Sequence, residues 1–358
     1  MQWAMDHRPE RVVLVIGGTG LTGRYLLQHI TRHRPDWQTI GVARRAPDFV
    51  SGARFLQADL GSPEAARASL SGLSSVTDLV YAGFVQAPSF TEQLAPNLAL
   101  LANTLDGLAA ARCPLRRVVL IQGMKYYGSH LGAFKTPARE DDPRHLGINY
   151  YYAQQDLLLA RQAHGHWHST LLRPHVICGH GVTSTQNLLT VVGVFAALAR
   201  AANVPLRFPG SRAAFGAINQ ATDARLLARA IIWALEDDRC ANQAYNITNG
   251  DHFRWENLWP AIAAHFGLDP GPVQTLDLAT HMPPLAPAWE ALARHHSLRE
   301  SRLDRLVHWP FADYILRTGH DVMSNTVKAR QHGFADCIDT EAMFIELLTQ
   351  LQRGRILP

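Results

Sequence analysis

Short, continuous runs of apolar residues recur through the first half of the chain, and each run ends in glycine or polar residues. Runs without alternating polar positions are typical of strands buried on both faces of a parallel sheet. The predicted strands are residues 11–16, 39–43, 54–60, 78–82, 118–121 and 168–179. Segments with helical periodicity separate several of them, and the order β-α-β-α-β-β-α-β predicts a right-handed, doubly wound α/β sheet.

Apolar positions in the second half of the chain recur mainly at helical spacing. A largely apolar helix is predicted from Gln186 onwards, followed by a loop that contains Phe215 and by a helix at residues 222–235. Three aromatic residues at roughly helical spacing are expected in the core: Trp255, Trp259 and Phe266. We predict a Rossmann domain at residues 1–180 and a smaller, mainly helical substrate-binding region at residues 181–358, some strands of which return to the Rossmann sheet.

A glycine-rich segment, GGTGLTG, lies between the first predicted strand and a helical pattern. In a dinucleotide site the first glycine permits a tight turn and the second lets the backbone approach a pyrophosphate. The third lets the helix pack closely on the strand, so that the phosphates lie at the helix amino terminus. The cofactor-binding residues predicted here are Gly17, Thr19, Gly20, Leu21, Thr22 and Gly23. A glycine-rich turn without a ligand is the alternative, which the flanking strand and helix disfavour.

Two arginines, Arg44 and Arg45, follow the second predicted strand. A site for NAD usually has an acidic residue at this point, which binds the ribose 2′-hydroxyl. Guanidinium groups instead suit a 2′-phosphate, because they can donate two parallel hydrogen bonds to it. The sequence therefore predicts NADPH as the cofactor, and a solvated surface pair of arginines is the alternative.

Residues that follow the third and fourth predicted strands are expected to face the same cofactor. Asp59 could bind the adenine amino group, with the apolar Leu60 against one face of the ring. A turn-forming role for Asp59 is an equal alternative. Ala82 and Gly83 follow the fourth strand and are predicted to bind the cofactor. Phe84, the next residue, is a candidate for the substrate pocket.

The segment 118–156 carries the residues that suggest a reaction. Gln122 and Lys125 lie at the carboxyl end of the fifth predicted strand, where open α/β sheets bind ligands, and Gln122 is predicted to bind the cofactor. Lys125 is one of three lysines in the chain, and an ammonium group beside a cofactor readily shifts its pKa. Three tyrosines, 150–152, begin the next helical segment. A lysine at a strand end and a tyrosine at the next helix start indicate a reductase.

The glycine triplet, the lysine and the tyrosines together resemble the extended short-chain dehydrogenase/reductase superfamily. The segments GVARR, GMKYYG and NYYYAQQD are similar to those of the progesterone 5β-reductase/iridoid synthase-like enone reductases. That family has K-H-Y-x-G-P and N-F-Y-Y-x-x-E-D segments in place of the usual Y-x-x-x-K. Further counterparts follow in the same order: LLRPHVICG, LRFPGSRAAF, NITNGDHFRWENLW, KARQHGF and the terminal RILP. The resemblance covers nearly the whole chain.

This resemblance implies the residues of an active site. Lys125 matches the catalytic lysine, and the catalytic tyrosine falls at Tyr151 or Tyr152. We favour Tyr152, because it lies where the superfamily tyrosine would lie, with Asp156 replacing the usual lysine one turn later; Tyr151 is the alternative. The resemblance also implies Pro174, His175 and Val176 beside the nicotinamide. The implied substrate pocket contains Phe84, Tyr126, Tyr127, Asn187 and Phe215.

The chain departs from the family pattern at several positions. Tyr126 stands where the family has His, Ser129 replaces a Pro, Tyr150 replaces a Phe and Gln155 replaces a Glu. The first two departures lie beside the expected substrate pocket, so the identity of the substrate stays open.

The reaction implied by the resemblance is NADPH-dependent 1,4-reduction of the carbon–carbon double bond of a small enone or enal. Hydride adds to the β-carbon, and the tyrosine hydroxyl stabilises the negative charge that develops on the carbonyl oxygen. The Lys125 ammonium can bind the cofactor ribose and favour the anionic form of the tyrosine. Two alternatives stay open: direct 1,2-reduction of a carbonyl and a non-catalytic NADPH-sensing protein.

Composition argues against several other classes. The formal charge is +4, but arginines and carboxylates are interspersed, so nucleic-acid binding is not expected. No apolar stretch approaches the ~18 residues of a membrane span, and the initial MQWAMDHRPE lacks the apolar region of a signal peptide; we expect a cytoplasmic protein. The four cysteines are expected to be free core thiols, and neither they nor the 18 histidines show metal-ligand spacing, so no metal is expected. A homodimer is left open.

Overall fold

The computed structural model of the protein describes residues 11–181 and 185–358. The amino-terminal decapeptide, on which the expectation of no signal peptide rests, lies outside the described residues, as do residues 182–184. The chain divides into two compact units. The first comprises residues up to Gln122, Arg144–Arg173 and Leu227–Tyr245, and the second comprises Gly123–Pro143, Pro174–Leu226 and Asn246–Pro358. The predicted domains, residues 1–180 and 181–358, are instead separated by a single boundary. The assignment of functions to these two domains stays a prediction.

Strands and helices alternate through the first part of the chain, and helices dominate the last third. The strands are β1 (Arg11–Ile16), β2 (Trp37–Ala43), β3 (Arg54–Gln57), β4 (Asp78–Tyr81), β5 (Arg117–Ile121), β6 (His168–Pro174), β7 (Val176–Cys178), β8 (Leu206–Arg207), β9 (Ile218–Asn219), β10 (Ala221–Asp223), β11 (Gln243–Ile247), β12 (Phe253–Arg254) and β13 (Pro270–Gly271). The α-helices are α1 (Leu21–His33), α2 (Pro63–Leu70), α3 (Leu94–Ala110), α4 (Tyr150–Gln162), α5 (Leu188–Ala201), α6 (Arg212–Gly216), α7 (Ala224–Glu236), α8 (Trp255–His265), α9 (Leu278–His281), α10 (Ala286–His295), α11 (Leu303–Leu306), α12 (Trp309–Arg317), α13 (Val327–Gln331) and α14 (Thr340–Arg353). Short 3-10 turns lie at Met124–Tyr127, Asp238–Cys240 and Pro283–Leu285.

Seven strands form one sheet in the order β11-β6-β5-β4-β1-β2-β3. The pairings from β3 to β6 are parallel, and β1 lies between β2 and β4. The predicted parallel α/β sheet is therefore confirmed. The strand order reverses between β1 and β4, so the carboxyl ends of these two strands form the point at which doubly wound sheets bind their ligands.

The core of the first unit is built from the central strands of the sheet and the helices beside them. Leu14 of β1, Leu79 of β4 and Leu120 of β5 are completely buried, and Leu101 of α3 and Leu158 of α4 belong to the same apolar cluster. Both faces of these strands are covered, which explains why their sequences are apolar at nearly every position.

The core of the second unit is mainly helical. Residues of α5, α8 and α14 form one apolar cluster, in which Trp255 and Trp259 are 1% exposed and Phe266 is 2% exposed. The prediction that these three aromatic residues belong to the core is confirmed.

The predicted order of elements is wrong at two neighbouring connections, because one helix is assigned to the wrong connection. Residues 44–53, which join β2 to β3 and are all described, form no helix, because the segment has Pro47 and no apolar periodicity. The helix lies one connection later, as α2 between β3 and β4. There the Ser62 hydroxyl accepts a hydrogen bond from the Ala65 backbone N–H at 3.1 Å, and Pro63 occupies the first helical position.

Two further elements differ from their prediction. The apolar run predicted as one strand at residues 168–179 is divided, because β6 ends at Pro174 and β7 pairs with β10 outside the main sheet. Phe215 lies in the short helix α6 and not in a loop, since the Ser211 hydroxyl caps that helix by accepting the Ala214 N–H at 3.0 Å.

The cysteines are free thiols, but they do not all lie in the core. Cys178 and Cys240 are buried and Cys113 is partly buried. Cys337 is exposed, so the prediction of a core position is wrong for this residue. Across the described ranges, no helix combines the length and the apolar character that crossing a membrane requires.

Candidate active site

The loop between β1 and α1 requires glycine at two of its three predicted positions. Gly17 has φ +81°, and a Cβ atom there would lie 2.5 Å from the Ala82 carbonyl oxygen. A Cβ at Gly23 would lie 2.3 Å from the Gly17 carbonyl oxygen and 2.7 Å from the Gly18 Cα. Backbone cannot yield at these distances, so the first glycine permits the turn and the third permits close packing of the helix on the loop.

The amino terminus of α1 offers its backbone N–H groups to an anion. Gly20 occupies the N-cap position and makes no side-chain capping bond, and the first turn contains no acidic residue. Leu21 and Thr22, which follow, are buried, and Thr19 precedes the cap. Because Gly20 has no capping side chain and the amino terminus of a helix carries partial positive charge, this terminus fits the pyrophosphate of a dinucleotide.

Arg44 and Arg45 are exposed just beyond the carboxyl end of β2. Neither guanidinium forms a hydrogen bond or an ion pair with the described residues, 11–181 and 185–358. The next acidic residue, Asp48, pairs with Arg24 of α1. The end of β2 therefore presents cationic groups, and the first carboxylate that follows it in the sequence is paired with Arg24.

The loops after β3 and β4 hold four more of the predicted cofactor residues. Asp59 is exposed, and one of its carboxylate oxygens accepts the Gly61 N–H at 2.9 Å, as expected for a turn-forming aspartate. Leu60 is buried, and its carbonyl oxygen accepts a hydrogen bond from the Asn103 amide at 2.9 Å. Ala82 donates its N–H to the Ile16 carbonyl at 3.0 Å, so the β4 loop stays beside the glycine loop. Gly83 follows and is partly buried.

Gln122 links β5, β6 and α4. Its backbone N–H donates to the Leu172 carbonyl at 2.8 Å. Its side-chain oxygen accepts from Arg173 Nε at 3.0 Å, and its Nε2 donates to the Tyr151 carbonyl at 3.1 Å. Gln122 is 4% exposed and Arg173 is 1% exposed. The sequence did not point to Arg173, because its burial depends on the whole sheet.

The tyrosine run begins α4, and each tyrosine has a different environment. The Asn149 side chain caps the helix by accepting the Tyr151 N–H at 3.0 Å. Tyr150 is 5% exposed, and its ring packs against Phe90 at 5.3 Å and Phe84 at 6.1 Å between centroids. Phe84 itself is 40% exposed. Tyr150 therefore anchors the helix start to the loop that follows β4.

Tyr151 lies on the face of α4 that meets the end of β5. It is partly exposed, and its ring lies 4.3 Å from the Tyr150 ring between centroids. Gln155 lies one turn later on the same face. Its side-chain oxygen is 3.5 Å from Gln122 Nε2. The Tyr151–Gln155 face is therefore directed toward the carboxyl end of β5.

Tyr152 contacts the segment that precedes the helix. Its hydroxyl oxygen accepts the His145 N–H at 3.0 Å, and the Arg144 guanidinium lies 4.8 Å from its ring centroid. Arg144 in turn makes a bidentate pair with Asp156 at 2.6 and 2.8 Å. Tyr152 is 7% exposed, so its side chain stabilises the Arg144–His145 segment against α4.

Lys125 and its neighbours belong to the second unit. The Lys125 ammonium lies 5.0 Å from the Tyr314 ring centroid, and burial lowers the pKa of Lys125. The Tyr127 hydroxyl donates to Asn246 Oδ1 at 2.7 Å, and the Tyr126 ring packs edge-on against Tyr127. Both tyrosines are buried, so Lys125 lies in a largely aromatic environment.

His175 is buried with its polar atoms in use. Its N–H donates to the Thr222 hydroxyl at 3.0 Å, and its ring Nε2 lies 3.0 Å from the Ser324 hydroxyl. Burial lowers the pKa of His175 to about 3, so the ring is neutral at ordinary pH. The flanking Pro174 is buried and Val176 is partly buried.

Asn187 and Phe215, both predicted for the substrate pocket, have contacts within the second unit. The Asn187 amide is fully buried; it accepts the Leu189 N–H at 3.2 Å and donates to the Gly179 carbonyl at 2.7 Å, so it caps α5. The Phe215 ring lies 5.0 Å from the Phe208 ring between centroids. Their assignment to the pocket stays a prediction. Among the residues described, no group of three or more His, Cys, Asp or Glu could hold a metal ion.

The sheet, the glycine loop and the tyrosine-headed helix define a Rossmann protein of the dehydrogenase/reductase type. The UDP-glucose 4-epimerase of Thermus thermophilus in complex with NAD has this fold, with a TM-score of 0.68 and 15% identity over 96% of this chain and 99% of that one. A putative epimerase from Burkholderia cenocepacia gives a TM-score of 0.67 at 16% identity, covering 97% of this chain and 99% of that one. At such identity the likeness establishes the fold alone.

The family model for a PRISE-like Rossmann-fold domain matches residues 14–358. The (S)-8-oxocitronellyl enol synthase CYC2 of Camptotheca acuminata is 30% identical over 369 residues, which cover 98% of this chain and 94% of that protein. The 3-oxo-Delta(4,5)-steroid 5-beta-reductase of Arabidopsis thaliana is 30% identical over 370 residues, with the same two coverages. The chain belongs to the PRISE-like Rossmann-fold family. The predicted family and the predicted oxidoreductase class are thereby confirmed.

Proposed function

We propose that the protein reduces the carbon–carbon double bond of an α,β-unsaturated ketone or aldehyde with NADPH. The observation that carries this proposal is its nearly end-to-end similarity to a protein named as a 3-oxo-Delta(4,5)-steroid 5-beta-reductase. Fold alone would not support a reaction, because Rossmann proteins host many.

The cofactor proposal rests on the first unit. A nicotinamide dinucleotide would place its pyrophosphate on the glycine loop and the N–H groups of α1, where Gly20 leaves the first turn without a side-chain cap. Arg44 and Arg45 would bind the 2′-phosphate, which favours NADPH over NADH. Bound NADPH supplies the hydride for the reduction. Binding roles for Asp59, Ala82, Gly83 and Gln122 stay predictions.

We assign the hydroxyl that binds the substrate oxygen to Tyr151, the alternative of the sequence analysis. Its helix face, shared with Gln155, meets Gln122 at the carboxyl end of β5, where sheets of this kind bind ligands. The favoured Tyr152 instead accepts a hydrogen bond from His145 and packs under Arg144. These contacts disfavour Tyr152 as the substrate-binding hydroxyl.

In this mechanism Tyr151 acts on the oxygen at which charge develops. Conjugate addition of hydride at the β-carbon produces an enolate, and the Tyr151 O–H donates a hydrogen bond and then a proton to it. One such donor typically lowers the barrier by about 2.7–4 kcal/mol. Lys125 would bind the cofactor ribose and stabilise negative charge; its buried environment, which lowers its pKa, strengthens such interactions.

The experiment that tests the proposal is turnover of NADPH with a small cyclic enone, followed by identification of the product. A saturated ketone, formed in equal amount to the NADPH consumed, is the expected result. An allylic alcohol would overturn conjugate reduction in favour of carbonyl reduction. Tight NADPH binding without turnover of any enone or enal would favour the sensing alternative. The substrate-pocket residues, a homodimer and a cytoplasmic location stay predictions.

A further inference from the structure

Tyr314 of α12, a residue that the sequence did not single out, places an aromatic ring beside Lys125. The Lys125 ammonium nitrogen lies over this ring, 5.0 Å from its centroid. An aromatic face attracts a cation within about 6 Å of the ring centroid, and the attraction is stronger where water is excluded. Both side chains are partly buried. The second unit thus offers the Lys125 ammonium an aromatic face in a partly desolvated environment.

We propose that Tyr314 is a positioning residue, whose ring holds the Lys125 ammonium in place for binding of the cofactor ribose. This inference rests on the proposed role of Lys125. A lysine carries its charge at the end of a flexible four-carbon stem, so its ammonium can occupy many positions. A ring that restricts the ammonium to one of them reduces the entropy that is lost when a ligand binds.

The helix that carries Tyr314 is anchored on both sides of that residue. On one side, the Asp313 carboxylate accepts the backbone N–H groups of Leu278 and Ala279 at 3.0 and 2.8 Å, which joins α12 to the start of α9. On the other side, Leu316 is 1% exposed and belongs to the apolar cluster of the second unit. The position of the ring therefore follows from the packing of α12 and does not depend on Lys125.

The Tyr314 hydroxyl meets Ser129, one of the positions at which the chain departs from the family pattern. The two hydroxyl oxygens lie 3.4 Å apart, and Ser129 is 2% exposed. The resembled family has Pro at this position, which offers no hydroxyl group. A distance of 3.4 Å is long for a hydrogen bond between hydroxyls. The ring of Tyr314, more than its hydroxyl, therefore carries the proposed role.

The backbone of Lys125 is held separately from its side chain. Lys125 lies in the short 3-10 turn that ends at Tyr127, whose hydroxyl donates to Asn246 Oδ1 at 2.7 Å. Asn246 is completely buried, and its Nδ2 donates to two backbone carbonyls at 3.1 Å each. Loss of the Tyr314 ring should therefore release the ammonium while the turn stays in place.

The first test compares the Kd for NADPH, measured by fluorescence, in wild type, Tyr314→Leu, Lys125→Met and the double variant. We expect Tyr314→Leu to weaken binding about three- to tenfold when Lys125 is present, as loss of a cation–π contact would. In the Lys125→Met background the same change should weaken binding less than about twofold, because the two residues act together. Tyr314→Phe keeps the ring and should restore most of the affinity. An equal loss in both backgrounds, or no loss in either, would overturn the proposal.

The second test is the NMR signal of the Lys125 ε-methylene group in protein labelled with ¹³C-lysine. The chain has three lysines, so Lys125→Met identifies this signal by its loss. The ring current of Tyr314 should shift the signal upfield of those of the other two lysines, and Tyr314→Leu should abolish the shift. Phe311→Leu is the matched control, because Phe311 lies on the same helix and packs against the same apolar cluster; it should leave the shift in place. An unchanged Lys125 signal in Tyr314→Leu would contradict the contact.

If Tyr314→Leu fails to fold, the wild type provides the test. A nuclear Overhauser effect between the Lys125 ε-protons and the Tyr314 ring protons is then expected, and its absence would refute the inference. Neither test needs turnover. Coupled NADPH affinities without reduction of any enone would therefore refute the proposed function alone. Turnover of an enone with an equal loss of affinity in both Lys125 backgrounds would refute this inference alone.

Discussion

The glycine loop after β1 and the tyrosine run at the start of α4 contribute differently to the candidate site. The loop acts through its backbone: Gly17 needs a positive φ, and Gly23 lies so close to the loop that a Cβ would meet backbone atoms. The proposed contribution of the tyrosine run is made by side chains, and the three adjacent tyrosines have three different environments. Tyr150 is packed among aromatic rings, the Tyr151 backbone carbonyl accepts a hydrogen bond from Gln122 at the end of β5, and Tyr152 contacts the segment before the helix.

The difference shows what local sequence can decide. A glycine's role follows from backbone geometry, which the spacing of strand, turn and helix specifies. A tyrosine's role depends on what packs against it, and those partners come from distant parts of the chain. Substitutions in the loop should therefore act through backbone geometry, and substitutions among the tyrosines should act through their individual partners.

The largest effect is expected at Gly23. Gly23→Ala would place a methyl group 2.3 Å from a backbone oxygen. We expect a loss of stability of about 1–3 kcal/mol or more, together with loss of measurable NADPH binding, because α1 must move off the loop. Thermal unfolding and NADPH fluorescence titration measure the two effects. Gly72→Ala is the matched control, since a Cβ there meets nothing within 4 Å. Equal behaviour of the two variants would contradict the close-packing argument.

The next effect concerns the choice of cofactor. Replacing both Arg44 and Arg45 by alanine should raise the KM for NADPH by roughly ten- to a hundredfold, because charge-assisted hydrogen bonds to a phosphate are lost. The KM for NADH should change by less than about threefold. Steady-state kinetics with both cofactors measure this. A parallel rise for NADPH and NADH would show that the arginines do not distinguish the 2′-phosphate.

A smaller effect is expected at the helix cap beside the tyrosines. Asn149→Ala removes the acceptor of the Tyr151 N–H and should cost about 0.5–2 kcal/mol of stability, measured by denaturant unfolding. Asn149→Asp keeps the acceptor and should restore most of the loss. Asn187→Ala, at the cap of α5, should lose stability by a similar amount. If Asn187 instead changes the KM for the enone with stability intact, its predicted pocket role gains support over its capping role.

The sequence predicted the sheet and the glycine loop well, since both depend on local patterns. It placed one helix wrongly: the connection from β2 to β3, which has no apolar periodicity, forms no helix, whereas Ser62 and Pro63 begin one after β3. It did not distinguish the tyrosines, because Tyr151–Gln155 and Tyr152–Asp156 have the same helical spacing and both suit an active site. The pairing of Asp156 with Arg144 gives Tyr152 an environment different from that of Tyr151, and nothing in the local pattern indicated this pairing.

The most direct test of this account compares kcat for enone reduction in Tyr151→Phe and Tyr152→Phe, with unfolding free energies measured in parallel. Tyr151→Phe should lower kcat by about a hundred- to a thousandfold with stability nearly unchanged, because it removes the hydrogen-bond donor to the enolate oxygen. Tyr152→Phe should cost about 0.5–1.5 kcal/mol of stability, through the lost acceptor for His145, and lower kcat less than about tenfold. A severe loss of kcat in Tyr152→Phe with near-normal activity in Tyr151→Phe would contradict the assignment and return the role to Tyr152.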